Sequence, residues 1–155
     1  TSRFLTLTKG TGVINRIFHS FGKFEGEIDG RKNGALISMS NGKAVAFAIF
    51  NLQARGEMFV THNDPVYEGM IVGLAPKAGD MIINVMKGKQ LTNMRTQGTD
   101  ENVVLTPVRQ MSIAEQLSML NTDEALEITP KSLRLRKAIL NPNDRKKNEK
   151  SGTPL

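Results

Sequence analysis

The chain has no cysteine and no tryptophan in 155 residues. Without a thiol there is no disulfide, no thiolate nucleophile and no sulfur ligand for a metal. That fits a reducing cytosol. Two histidines with no cysteine make a transition-metal site improbable. No apolar run approaches the roughly 20 residues a membrane helix needs, and no signal-peptide pattern is present. A membrane partner is therefore not expected. Neither G-x-x-x-x-G-K-[ST] nor G-x-G-x-x-G occurs, so these residues hold no phosphate-cradling loop.

Aromatic residues are scarce and segregated. The seven Phe and the single Tyr67 all lie in the first 67 residues. Beyond them the chain must pack with Leu, Ile, Val and Met. Hydrophobic residues make up 39% of the chain, enough for a core. The length suits one domain, or one domain with a fragment of another. The chain opens with Thr1 inside an apolar segment, which suggests a piece of a longer protein.

What is present in excess is positive charge, and it is local. Residues 131–150 carry eight Lys/Arg against Asp144 and Glu149, which accounts for the whole net charge of +6. A neutral body with a basic end points to a local anionic partner. A solvated tail kept soluble by charge is the alternative.

Short strands with turns between them dominate the pattern. Ala35–Met39 alternates, Asn41-Gly42 reads as a hairpin turn, and Ala44–Phe50 reads as a strand buried on both faces. Its alternating small and large side chains suit the interior of a small barrel. Met58–Val60, Val66–Leu74 and a strand with Met81, Ile83 and Val85 on one face follow. Gly69 and Gly73 mark bends or close backbone approach. Ser112-Ile-Ala-Glu115 is a capping box opening a helix with Ile113, Leu117 and Leu120 on one face. Leu126 and Ile128 alternate. Leu133 and Leu135 are expected inward, with Arg134 and Arg136 outward. Asn141-Pro142 starts a final helix. Gly12–Phe24 fits a helix by spacing and a strand by composition.

Lys87–Asn102, KGKQLTNMRTQGTDEN, has neither period. A polar loop of this length in a compact domain is either functional or mobile surface. Lys87, Lys89 and Arg95 bring positive charge, and Asn93 can hydrogen-bond base edges or sugar hydroxyls. No aromatic lies near, and Asp100 and Glu101 interrupt the charge. Such a loop should fit and steer RNA rather than grip it. Arg134, Arg136, Lys137, Arg145, Lys146 and Lys147 suit non-specific phosphate contact. His62 beside Asp64 sits in a turn, where Asp more often caps its own backbone than orients a base. His19, between Phe18 and Phe21, is expected to be half-buried. Glu25, Glu27 and Asp29 read as solvated edge charge.

GTGVINRIFHSF, GEIDGRKNGALIS, GKAVAFAIFNLQARGEMFV, VYEGMIVG, KQLTNMRTQGTDE and EITPKSLRLRKAIL resemble, in order and spacing, the C-terminal third of the TypA/BipA translational GTPases. The likeness covers nearly all of the chain except SGTPL. LTNMR followed by G-x-D-E is its most specific signature. The resemblance implies that residues 1–24 end a ferredoxin-like domain similar to domain V of elongation factor G, with GTGVINRIFHSF a strand. It implies that residues 25–150 form the family's C-terminal domain, mainly β with added helices and barrel-like; residues 151–155, SGTPL, lie outside the likeness and read by themselves as a frayed, disordered tail. It further implies a cytoplasmic, monomeric partner of the ribosome, tRNA and rRNA. The loop at Lys87–Asn102 would approach the acceptor end of A-site tRNA, in ribosome assembly and stress-adaptive translation. GTP and Mg2+ would belong to a GTPase domain not represented here, so this chain alone is not expected to hydrolyse GTP and carries no cofactor of its own. A barrel docking on ribosomal proteins, or on other domains of its own chain, is the rival expectation.

Overall fold

The computed structural model describes residues 4, 8–9, 11–24, 26, 31–88 and 104–151. Its centre is a four-stranded mixed sheet in the order β3-β5-β1-β6. The strands are β1 (Ala35–Ser38), β3 (Glu57–Met58), β5 (Ile71–Leu74) and β6 (Met81–Ile83). β1 runs antiparallel to β5 and parallel to β6. Two ribbons flank it: β2 (Gly42–Lys43) with β4 (Pro65–Val66), and β7 (Glu124–Ile128) with β8 (Leu133–Lys137). Helices α1 (Ala46–Gln53), α2 (Ile113–Ser118) and α3 (Pro142–Ser151) complete the fold. It is mainly β with added helices, as expected. The linear strand order does not itself close a barrel.

Period-two alternation explains the two-sided core. Leu36 and Val72 point to one face of the sheet, into a cluster with Ala48, Ile49 and Leu52 of α1. Ala35, Ile37 and Ile71 point to the other face and pack with Leu135 of β8. β1 and β5 are therefore covered on both sides and buried along their whole length.

Three expectations are corrected. The run Ala44–Phe50 is not a strand, because Ala46–Gln53 is helical and buries Ala48, Ile49 and Leu52. Alanine is the best helix former, and an eight-residue apolar run cannot be assigned by period alone. Asn41-Gly42 does not close a hairpin. Neither residue has positive φ, which a type I′ turn requires, and the Asn41 side chain instead accepts from Glu68 N at 2.8 Å. Residues 11–24 form no strand or helix, and Ile17, Phe21 and His19 are exposed. A strand needs a neighbour to satisfy its backbone, and none pairs with this segment among the described residues.

Other readings hold. Asn141 Oδ1 accepts from Asn143 N at 2.8 Å, with Pro142 opening α3. The capping box is complete: Ser112 Oγ accepts from Glu115 N, and Glu115 accepts from Ser112 N. Glu115 is held below its ordinary value chiefly by those Ser112 hydrogen bonds. The face that α2 buries is not the expected one, however. Ile113 and Leu117 are exposed, and Gln116 is buried. Gly69 has φ +83°, and a β-carbon at Gly73 would collide with the Glu57 carbonyl on the neighbouring strand.

The β7–β8 ribbon is joined to the sheet by one buried cation. Lys137, 1% exposed, places Nζ 2.5 Å from Asp80, 2.6 Å from Asp123 and 3.0 Å from Glu124. Arg31 supports the fully buried Glu124 carboxylate at 2.7 Å. Asp80 also accepts from Ala35 N at 2.7 Å, which extends the network to the start of β1. Burial pushes the Asp80 carboxyl up, but the Lys137 hydrogen bond, the Ala35 amide and the charges of Lys137 and Arg31 hold it below its ordinary 3.8. Burial pushes Lys137 down, but hydrogen bonds to Asp123, Asp80 and Glu124 hold it above 10.5. Asp80 thus stabilises the fold above its unfolded value, and this is lost as pH falls through the lower folded value. Lys137 stabilises it below its unfolded value, and this is lost as pH rises through the higher folded value.

Replacing Lys137 with Met should lower the unfolding free energy by about 3 kcal/mol near neutral pH, because three carboxylates lose their cation. That is the low end for such a removal, since Asp80 and Asp123 keep water contact. The difference from the parent should shrink below about pH 4, where the carboxylates protonate. Urea titrations at neutral and acidic pH measure both. Gly73→Ala should cost about 1–3 kcal/mol by forcing β3 from β5, read as a shifted urea midpoint at unchanged slope.

Candidate nucleic-acid interface

Two stretches carry the expected contacts, the Lys87–Asn102 loop and the basic segment 131–150. Of the loop candidates only Lys87 lies in the described residues, and it is exposed. Lys89, Asn93 and Arg95 fall outside them. The stems on either side are well fixed. Val85 is fully buried, and its carbonyl accepts from Val45 N at 2.9 Å, just before α1. On the return, Leu105 packs on the core and Thr106 is clamped by Gln53, the last residue of α1. Gln53 Nε2 donates to Thr106 O at 3.0 Å, and Thr106 N donates to Gln53 Oε1 at 3.2 Å. The polar stretch therefore leaves at one end of α1 and returns at the other.

His62 belongs to the same scaffold. Its Nδ1 accepts from Ala46 N at 3.2 Å, satisfying a backbone donor at the start of α1. Asp64 caps its own turn by accepting from Thr61 N at 2.7 Å. The two side chains thus have structural duties. Sequence reasoning missed Gln53 and His62 as supports because their partners lie far along the chain.

The basic segment divides by role. On β8, Arg134 and Arg136 share the face opposite Leu135. Arg134 reaches Glu127 at 3.3 Å directly across the ribbon. Tyr67 donates to the other Glu127 oxygen at 2.5 Å. Burial first, and then the Glu127 hydrogen bond and charge, push the Tyr67 phenol up to about 12, against the opposite pull of Arg136 and Arg134. Arg136 donates to the carbonyls of Lys137 and Ala138 at 3.1 and 3.4 Å.

Lys137 is a correction. It was expected on the phosphate-contacting surface, but it lies inside the molecule on three carboxylates. The signal was present in the alternation, since residue 137 has the inward parity of Leu133 and Leu135. Burial of that position required the facing acids, and Glu124 stands directly opposite it.

α3 buries no residue of its own. It is latched by Arg145, which donates to the carbonyls of Ile139 and Leu140 at 2.9 and 2.6 Å. Lys146, Lys147 and Lys150 are exposed on the helix. Lys147 meets Asp144 at 3.4 Å, but both are well exposed and such a pair contributes little. Lys131 is exposed at the tip of the β7–β8 turn. This part of the fold can therefore present exposed ammonium groups to a polyanion while Arg145 and Lys137 hold it in place. No group of metal-ligating side chains is found among the described residues, and no described helix is long and apolar enough to cross a membrane.

Comparison with known proteins bears on this arrangement. Residues 33–142 match the TypA/BipA C-terminal domain. The chain is 48% identical over 155 residues to the large ribosomal subunit assembly factor BipA of Buchnera aphidicola subsp. Schizaphis graminum, covering 99% of this chain and 26% of that protein. It is 46% identical over 147 residues to the proteins of the same name from Salmonella typhimurium and Escherichia coli K12, covering 94% of this chain and 24% of each. The chain thus spans about a quarter of the length of these relatives. The match runs from just before β1 to the first residue of α3 and takes in both loop stems and the Lys137 cluster; the chain belongs to the TypA/BipA family and carries its C-terminal domain.

Proposed function

We propose that the chain is an RNA-binding and positioning module of a ribosome-associated GTPase that acts in assembly of the large ribosomal subunit and in stress-adaptive translation. The observation that carries this reading is the segregation of charge. The body is neutral, and the net +6 lies in residues 131–150, where Lys131, Lys146, Lys147 and Lys150 are exposed. Exposed ammonium groups on a latched helix suit rRNA phosphates, which need charge and no fixed geometry. The relatives' name as assembly factors of the large subunit supports the ribosome as the partner.

The Lys87–Asn102 loop is assigned the second contact, with the acceptor end of A-site tRNA. Support comes from its stems, since a loop anchored at both ends of one helix can be aimed. Lys87, Lys89, Asn93 and Arg95 are its contact residues in this reading. Arg134, Arg136, Arg145, Lys146 and Lys147 serve the phosphate surface, with Arg145 also securing the helix. GTP and Mg2+ would act in the part of the protein outside this chain. The module works as a monomer in the cytoplasm.

The double variant Lys146→Ala, Lys147→Ala of the full-length protein should bind ribosomes more weakly. Its dependence of log K on log salt should fall by about two, one for each phosphate that a lysine no longer neutralises. Its thermal midpoint should not move, because both side chains are exposed. Lys89→Ala with Arg95→Ala should likewise weaken co-sedimentation with ribosomes while leaving the fold intact. Unchanged co-sedimentation and an unchanged salt slope in both variants would refute the assignment.

A further inference from the structure

We propose that the groove between β8 and the segment leading into α2 receives an extended peptide in which apolar residues alternate with acidic ones. The site goes beyond RNA binding and uses the edge of β8 beside Leu133, sharing Lys131 and Arg134 with the basic segment. The ribbon's hydrogen-bond phase is fixed at both ends. Ala138 N donates to Asp123 O at 2.9 Å, and Thr129 N donates to Ser132 O at 2.9 Å. Glu124–Lys137 and Ile128–Leu133 are therefore non-hydrogen-bonded pairs, and Leu133, Leu135 and Lys137 turn their backbone groups away from β7. Lys137 uses its outward N–H on Gly69 O at 2.9 Å, beside the isolated bridge between Met70 and Arg136. Towards Leu133 no further bridge joins the described strands. A groove of about 730 Å³ opens there, lined by β8 on one side. An extended segment laid along this edge could pair with the Leu133 backbone, the usual mode of strand addition.

The side chains agree with that occupant. Met70, Ile71 and Leu135 give a buried aliphatic floor, and Ile113 and Ile128, 48% and 64% exposed, form apolar lips. Gln116 also lines the groove and is only 7% exposed. Its Nε2 has a long 3.4 Å bond to Met111 O, while its Oε1 accepts from no group among the described residues. A buried acceptor without a donor is unfavourable, and a peptide N–H entering the groove would satisfy it. Of the cations in the described lining, Arg109 is paired with Glu115 at 3.4 Å and Glu57 at 3.9 Å and Arg134 with Glu127 at 3.3 Å, which leaves Lys131 as the one with no carboxylate partner among the described residues. That charge complements acidic residues flanking the apolar ones, since alternate side chains of a strand face opposite ways. The aliphatic floor and the exposed strand edge favour peptide over RNA. Phe59 is the one aromatic ring in the described lining, so there is little on which bases could stack.

The test is fluorescence polarisation of the full-length protein with labelled synthetic peptides alternating Leu, Ile or Met with Glu or Asp. A charge-matched polar set and a single-stranded RNA oligonucleotide serve as competitors. The alternating peptides should bind, and the polar set should not displace them. Gln116→Leu should weaken binding about fivefold, as expected for removal of one hydrogen bond, while leaving the thermal midpoint unchanged or raised. Lys131→Glu should weaken it further, and the Leu133 amide should gain hydrogen-exchange protection with peptide. The proposal is overturned if no alternating peptide outbinds the polar set. It is equally overturned if RNA competes for the same Gln116-dependent site, or if Gln116→Leu lowers the midpoint without affecting binding.

Discussion

One buried ammonium group holds the two halves of this fold together. Lys137 sits at the end of β8 and touches carboxylates from the approach to β6 and from the start of β7. Asp80 in turn accepts from the first amide of β1, and Arg31 closes the circuit on Glu124. The apolar packing of Leu135 against Ile37 and Ile71 brings the ribbon to the sheet, but it does not fix the ribbon's register. The ion cluster does, because a slip of one residue would carry Lys137 out of reach of its acids and turn Leu135 to water. Everything attached to the ribbon inherits that register: the Met70–Arg136 bridge, the groove beside Leu133 and the latch of α3 on Ile139 and Leu140.

On the opposite face of the sheet, α1 has a comparable organising role. It is short and is held from outside rather than by its own caps. Val45 supplies no side-chain cap, and His62 takes the Ala46 amide instead. Val45 N and the Gln53 side chain then fix the two stems of the polar stretch. The helix therefore converts packing of Ala48, Ile49 and Leu52 into a fixed separation between the stems. A strand at this position would have spread the same residues over more than twice the length, at about 3.3 Å per residue against 1.5 Å.

These two regions also show what the residues reveal unaided. Local chemistry was readable: the Ser112–Glu115 capping box, the Asn141-Pro142 start of α3, the Asp64 turn and the special roles of Gly69 and Gly73 all depend on near neighbours. The alternation of β7 and β8 was readable too, and followed one residue further it places Lys137 inward. What could not be read were long-range partners. Nothing near AVAFAIF tells a helix from a strand, because both would bury it. Gln116 looks like an outward residue of α2 until the ribbon is folded over it, and Asn41-Gly42 looks like a hairpin until Glu68 claims the Asn41 side chain. The charge excess of 131–150 was legible as a sum, but its division between inward and outward cations was not.

That division governs how this end of the chain meets an anionic partner. Lys137 is neutralised internally, and Arg145 keeps its charge while giving its geometry over to two carbonyls. Arg134 is matched to Glu127. The exposed cations are Lys131 at the ribbon tip and Lys146, Lys147 and Lys150 on α3. Lysine is suited to that display, as a compact charge on a flexible stem, and the arginines, with their planar forks, occupy the positions that need fixed hydrogen bonds. A polyanion approaching α3 therefore meets charge without shape, which favours phosphates. A ligand approaching Lys131 meets the same charge beside an aliphatic floor, a strand edge and an unpaired amide oxygen, which favours a peptide. The two surfaces draw on one basic run, but the surroundings of each cation set the chemistry that it can recognise.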